Sequence, residues 1–464
     1  MFEIKARNST VGREILGGLT TFMAMSYILF VQPAMLSAAG MDSGGVFMAT
    51  CISSALASIL MGLLADYPIA LAPGMGENVF FITMCGVGAA GAFHLTWQEA
   101  LALTVVTGII FLLLSTVGFR SYLLNAIPDA LKSGIAAGIG LFIALIGFEW
   151  GNLLQSDPVT FLKLTAFRGE HAYVAGLTLL GLGVTLTLLA LNVRGAILLG
   201  ILISTGAAWA AGKVWGIHTV EFHGLIAVPQ GLGKTAGHFW GGFGSLWGKL
   251  WSGDWGKVLG FAFIVLFMDV FDTVGTLVGV AKRAGLIVEG RLPRAERALA
   301  ADAAGTVIGA ALGTSTVTSY IESITGVAAG ARTGLSAVVA GACLFLALFF
   351  QPLVEMVGAG IAVGTYPSGA PILRYPMIAP ALIIVGAMMM RAMRDVDWDD
   401  VTEAVPAFLT MVTMPFAYSI SAGIAIGFIS YAFGKLVTGR ARQCPAIVYV
   451  FAVLWALRYA LIGD

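Results

Sequence analysis

Residues 260–280 read GFAFIVLFMDVFDTVGTLVGV, an apolar run long enough to cross a bilayer that nevertheless carries two acids, Asp269 and Asp272. A second such run, GTSTVTSYIESITGVAAG at 313–330, carries Glu322, and a third, IALAPGMGENVFFITM at 69–84, is broken by Glu77 and Asn78. A charge in hydrocarbon costs at least about 2.5–3.5 kcal/mol, so acids in such runs face a cavity or a pathway. These residues are the first candidates for function, and they point to a transporter.

The bulk numbers agree. The chain has 464 residues, 58% hydrophobic and 11% charged, with a mean hydropathy of +0.92. That excludes a soluble globular domain and predicts a multi-pass protein of a cell membrane (the inner membrane if the source is bacterial). The 25 basic and 25 acidic residues cancel, so nothing suggests nucleic-acid binding. Cys51, Cys85, Cys343 and Cys444 show no metal or disulfide spacing. No metal, cofactor or enzyme chemistry is expected. There is no paired-histidine motif, nucleophile elbow or phosphate loop, and His94, His171, His218, His223 and His238 fall in or beside predicted external loops. No cleavable leader is expected in the N-terminal segment.

Apolar segments predict an all-α polytopic fold of about fourteen spans. They lie near 15–37, 45–65, 68–93, 97–118, 129–150, 174–191, 194–212, 258–281, 296–312, 314–331, 334–356, 374–391, 403–417 and 418–436. A further segment, 444–462, either spans or lies at the interface. Lys5, Arg7 and Arg13 precede the first span, and by parity Arg120, Lys282, Arg283, Arg291, Arg294, Arg297, Arg391, Arg394, Lys435, Arg440 and Arg442 share its side. The positive-inside rule makes that side, with the N-terminus, cytoplasmic. The Trp- and Gly-rich segment 213–257 is then an external cover over the membrane surface.

Equal numbers of spans flank that cover, and an odd number per half inverts one half against the other. One and the same shift lays Met25 on Asp269 and Asn78 on Glu322. In the third span Pro73 removes an amide donor while Gly74 and Gly76 weaken helix. In the tenth, Thr314, Thr316, Val317, Thr318, Tyr320 and Ile321 favour extended backbone. Such breaks are tolerated at membrane depth only where they are buried or line a cavity. Matching breaks in two halves mark a midplane site, with half-helix N-termini turned to the ligand.

Blander roles stand beside these. The alternative for Asn78 is to tie helices together and for Asp272 to cap backbone freed at Thr273–Gly275, while Asp302 is read as supporting the ninth span. Phe80 is an ordinary core contact unless its place beside Asn78 makes it a stacking platform. If Asn78 points at a ligand, Glu77 points partly away, since adjacent residues do not share a face.

These segments resemble the nucleobase–cation symporter family of xanthine, uracil and ascorbate permeases, in its AzgA-like adenine/guanine/hypoxanthine branch. The resemblance rests on GGLTTFMAMSYILFVQPAML (17–36), APGMGENVFF (72–81), MDVFDTVGTLVGVAKRAGL (268–286) and GTSTVTSYIESITGVAAGARTGLSAVV (313–339). It continues through PALIIVGAMMM (380–390) and VPAFLTMVTMPFAYSISAGIAIGFISY (405–431). The resemblance implies two inverted seven-span repeats forming a core domain (1–118 and 258–356) and a gate domain (119–212 and 357–436). The external loop 213–257 and the C-terminal segment 437–464 complete the chain. It implies import of a purine nucleobase with protons by an elevator-type motion, and a homodimer through the gate domain. It assigns Asn78, Asp269 and Glu322 to the substrate. The residues themselves add Glu77, Phe80 and Ser323 as candidates beside them, and Asp269, Glu322 and Asp272 as candidates to carry the coupled proton. Purine edges mix N–H donors with ring acceptors; carboxylates take the donors, and an asparagine amide does both.

Glu77 departs from the branch pattern, which has an apolar residue there. Three roles stay open for it: substrate choice, proton coupling, and pairing with backbone exposed by the break. The departure also keeps open uracil, xanthine or a guanidinium-bearing compound as substrate. An anion exchanger of the related sulfate-permease fold is disfavoured, because the acids near the breaks repel an anion.

Overall fold

The computed structural model describes residues 2–86, 94–116, 127–157, 159–168, 172–215, 220, 224–287, 292–365 and 371–461. Arg120, His171, His218, His223 and Arg291 lie outside the described residues. The chain is mainly helical. Among the described residues nine helices are long and apolar enough to cross a membrane.

The first span is two helices, α1 (Val11–Met25) and α2 (Ile28–Ser37), parted at Ser26 and Tyr27, an interruption the apolar pattern hides. Thr10 caps α1 through its side chain, and Asp42 caps α3 (Ser43–Leu64) by accepting from the Gly45 N–H at 2.9 Å. The third span is strand β1 (Leu71–Pro73) followed by α4 (Met75–Met84), and α5 is Trp97–Thr116. Then come α6 (Asp129–Trp150), the hairpin β2 (Leu154–Asp157) and β3 (Phe161–Leu164), α7 (Ala172–Ala190) and α8 (Ala196–Trp215).

The segment 213–257 holds α9 (Phe239–Trp251), which packs on α5. There Lys249 pairs at 2.7 Å with the buried Glu99, which also accepts from Ser245. Trp240, Trp247, Trp251 and Trp255 are exposed, as suits a membrane–water boundary. α10 (Trp255–Ala284) runs unbroken and stops at Gly285, whose φ of 69° needs no side chain.

α11 (Ala295–Leu312) is followed by β4 (Val317–Ser319) and the short α12 (Ser323–Ala328). Then follow α13 (Gly334–Leu346), α14 (Gln351–Val357) and the hairpin β5 (Ile361–Thr365) and β6 (Pro371–Arg374). The last helices are α15 (Ala379–Met389), α16 (Val401–Phe416), α17 (Ile420–Val437) and α18 (Ala446–Leu461).

Five expected spans fall short of a full apolar crossing. Within the described residues, those at 68–93 and 314–331 each join a three-residue strand to a short helix, and those at 374–391 and 403–417 are short helices. The one at 296–312 is a full helix but carries Glu296, Arg297 and Asp302.

β1 and β4 run antiparallel, with Leu71 opposite Ser319 and Pro73 opposite Val317. The Pro73–Val317 pair has the same sequence separation as Met25–Asp269 and Asn78–Glu322. Hydroxyls from neighbouring helices satisfy the backbone the breaks release. Ser58 Oγ accepts from the Leu71 N–H at 2.8 Å, Thr306 Oγ1 donates to the Val317 carbonyl at 3.0 Å, and the Tyr320 hydroxyl donates to the Pro73 carbonyl at 2.6 Å. The ladder adds Gly74 N–H to Thr316 O and Tyr320 N–H to Ala70 O, both at 3.0 Å.

α3 packs against α11 and α13, α1 against α12 and α13, and α5 against α11. A second set joins α6 to α15, α16 and α17, and α7 to α8. α18 touches both sets: Phe451 stacks edgewise on Phe267 of α10 and on Phe428 of α17. The N-terminal segment clasps the ends of the first set. Arg7 donates to the Asp66 and Arg332 carbonyls at 2.7 and 2.9 Å, and Arg294 pairs with Glu3. Hydrogen bonds from Arg294, then Arg7, hold the Glu3 carboxyl below its ordinary range.

Glycines let α3 and α13 touch. A Cβ on Gly334 would collide with the Gly62 backbone, and one on Gly62 with the Gly334 carbonyl. Gly334→Ala should therefore cost about 1–3 kcal/mol by overpacking. The check is the thermal midpoint of detergent-solubilised protein, which should fall. Gly12→Ala, where a Cβ meets open space, should leave it unchanged or raised.

Candidate functional site

The crossing of β1 and β4 opens onto a cavity of about 2040 Å³. Its wall includes Tyr27, the first turn of α4 (Met75, Gly76, Glu77), Ser319 to Glu322, and Met268 and Asp272 of α10. Ile135, Ile139 and Ile143 of α6 supply the apolar side. Lys132, Lys282, Arg294 and Arg391 line it too. A rise of about 1.5 Å per residue puts Lys282 about 15 Å along α10 from Asp272. The cavity thus runs from mid-helix to the basic end of α10.

Three of the candidate acids face this space. Glu322, at the start of α12, accepts from the Tyr27 hydroxyl at 2.7 Å through Oε1. The break at Ser26 and Tyr27 turns that hydroxyl inward. Asp272 is half-buried on the wall and accepts no hydrogen bond from a described residue. It caps nothing, because α10 continues through Thr273–Gly275. Glu77, 5% exposed, accepts none at either oxygen. Its carboxylate folds over Gly74, where a Cβ would collide with Oε2 and approach the Thr318 methyl at 2.8 Å. The Gly74 N–H is already committed to Thr316, so Glu77 does not cap the helix it begins.

The other candidates lie behind the wall. Asn78 is fully buried, donating to Gln32 Oε1 and accepting from Ser315 Oγ. Gln32 in turn donates to Thr314 at 2.9 Å and to Ser315 at 3.0 Å. The expected order of the first turn is thus reversed: Glu77 lines the cavity and the Asn78 amide ties α2 to the approach of β4. Asp269 is 2% exposed and lies 3.3 Å from Thr306 Oγ1, whose one hydroxyl proton is shared with the Val317 carbonyl at 3.0 Å. Asp302 is fully buried and accepts from Thr273 at 2.7 Å and Ser319 at 2.9 Å, so it braces α10 and β4 as well as its own helix. Phe80 is a core contact, edge-on to Phe261 at 5.9 Å between ring centroids. Ser323 is fully buried and accepts from the Ala70 N–H at 3.1 Å.

Sequence reasoning did not single out Tyr27 or Gln32. The available signal was a phenol and an amide inside an apolar span, each of which needs a partner when buried. The wall offers carboxylate acceptors from three elements. It also offers donors, because the first-turn N–H groups of α4 have no acceptor within the helix. Neither Glu77, Asp272 nor Glu322 forms an ion pair among the described residues. This part of the wall therefore suits a small polar molecule with N–H groups.

The transmembrane domain of a cyanobacterium bicarbonate transporter, BicA, has the same fold. Its TM-score is 0.59 at 12% identity, over 90% of this chain and 97% of that one. Guanine/hypoxanthine permease PbuG of Bacillus subtilis (strain 168) is 41% identical over 99% of this chain and 98% of its own length. Adenine permease AdeP of Escherichia coli (strain K12) is 37% identical over 100% and 96%. The family described as Xan_ur_permease, "Permease family", matches residues 12–426. A multi-pass membrane protein with this cavity and these relatives is a transporter and not an enzyme, and the chain belongs to that permease family.

Proposed function

We propose that the protein imports a purine nucleobase of the adenine, guanine and hypoxanthine class together with protons. The observation that carries this reading is the wall itself: Glu77, Asp272 and Glu322 present acceptors beside the donor end of α4, and a purine edge mixes donors with acceptors. PbuG and AdeP, similar over their full lengths, are named for purines, which narrows the class. Glu322, Asp272 and Glu77 contact the base, while Asn78, Asp269, Phe80 and Ser323 hold the wall in place. Asp272, Glu322 and Asp269 carry the coupled proton.

The motion is an elevator. Residues 1–118 and 258–356 form a core that carries the site, and 119–212 and 357–436 form a gate, with 213–257 as external cover. The two helix sets, the shared offset at Pro73–Val317 and the BicA-like fold support about fourteen spans in two inverted repeats. Basic residues at the mouth of the cavity make that side, and the N-terminus, cytoplasmic, so the cavity faces inward. The gate pairs with a second copy in a homodimer, and the C-terminal segment 437–464 packs on core and gate.

In proteoliposomes, labelled guanine, hypoxanthine or adenine should accumulate under an inward proton gradient and stop accumulating when it is collapsed. Uptake of uracil with none of the purines would refute the substrate class, and uptake indifferent to the gradient would refute the coupling.

Replacing a charged acceptor should remove about 1.5–3 kcal/mol of binding. Glu322→Gln and Asp272→Asn should each weaken purine binding by roughly ten- to a hundredfold. Titration calorimetry of the purified variants measures this, and wild-type affinity in both would overturn the contacts.

A further inference from the structure

Glu77 stands apart from the other acids around the crossing. Tyr27 donates to Glu322, Thr273 and Ser319 donate to Asp302, and Asp269 shares the Thr306 hydroxyl with the Val317 carbonyl. Asp272 is half-buried and reaches the open part of the cavity. Glu77 is 95% removed from solvent (5% exposed), lines the cavity, and both of its oxygens lack a hydrogen-bond donor. A buried carboxylate in that condition costs several kcal/mol, far more than a solvated one. A chain that keeps it there gains something from its two buried, unpaired oxygens.

The geometry limits what meets them. Gly74 leaves the space into which the carboxylate folds, and the Thr318 methyl closes the side beyond. Two parallel acceptors on one carboxylate match two parallel N–H groups on one edge of a flat molecule, the fork geometry of the strongest charge-assisted pairs. Among purines, that pattern belongs to a ring N–H flanked by an exocyclic 2-amino group. A 6-oxopurine without the 2-amino group offers one of the two donors. A 6-aminopurine sets its amino donors beside ring acceptors, which a carboxylate cannot satisfy.

We propose that Glu77 is the specificity-determining residue of the site, and that it selects a purine carrying the paired N–H and 2-amino edge, as guanine does. The assignment rests on the purine-permease reading and deepens it. Asn78, with both ends of its amide committed to Gln32 and Ser315, leaves the neighbouring carboxylate as the reader of that edge.

The test compares guanine with hypoxanthine, which differ by the 2-amino group, on purified wild type, Glu77→Gln and Glu77→Leu. Wild type should prefer guanine, and both variants should lose about ten- to a hundredfold of that preference while still binding hypoxanthine. The thermal midpoint of the unliganded protein separates this from a structural role. Loss of an unpartnered buried acid should leave the midpoint unchanged or raised, whereas loss of a structural acid lowers it. An unchanged guanine-to-hypoxanthine ratio in variants that bind both bases overturns the role of Glu77 and leaves the permease reading standing. A lowered midpoint with equal loss of both bases also overturns it. Wild type that binds neither purine overturns both readings.

Discussion

Two hydroxyls, those of Thr273 and Ser319, hold the fully buried carboxylate of Asp302, and the rest of the centre is built under the same constraint. Acid and unwound backbone sit in a low-dielectric interior, where every polar group needs a donor or acceptor close by. The chain meets this with short hydroxyl side chains. Ser58, Thr306 and Tyr320 serve the backbone of the crossing, Thr306 shares its one proton between that backbone and Asp269, and Tyr27 serves Glu322. Hydroxyls stabilise a carboxylate without cancelling its charge, as an arginine would. The acids therefore stay available to a ligand or a proton.

The same economy explains why the wall is assembled from elements distant in sequence. Tyr27 is delivered by the interruption between α1 and α2, the first turn of α4 by Pro73 and Gly74, and Glu322 by the extended run before α12. Each delivery uses an interruption of helix, because a continuous helix keeps its backbone groups to itself. α10 is the exception. It stays whole, and its two acids differ only in facing: three residues apart, they point about 60° away from each other, one to the cavity and one towards Thr306.

Much of this was legible. Pro73, Gly74 and Gly76 announced the first break, and the threonine-rich run before Glu322 announced the second, because backbone preference is local and written in residue type. The acids were conspicuous because apolar sequence surrounds them. What the sequence withheld was orientation. Glu77 and Asn78 exchange their expected facings because the turn from β1 into α4 sets the rotation of that helix, and no periodicity survives across a break. Asp272 rather than Asp269 faces the cavity for a related reason: the choice depends on where α11 and β4 press against α10. The interruption at Tyr27 leaves no mark in an apolar pattern. The β2–β3 and β5–β6 hairpins lie in connecting segments, where hydropathy has little to say.

The three-residue ladder at the centre also has a bearing on how the molecule is made. β1 lies near the start of the chain and its partner β4 well past the middle, so the pairing closes a very long loop. While the first half is being synthesised and inserted, the backbone groups of Leu71 to Pro73 that later meet β4 have no partner. The first half alone is therefore an incomplete solvent shell for its own backbone, and the halves are obligate companions. Biogenesis of this protein must end, rather than begin, at its centre.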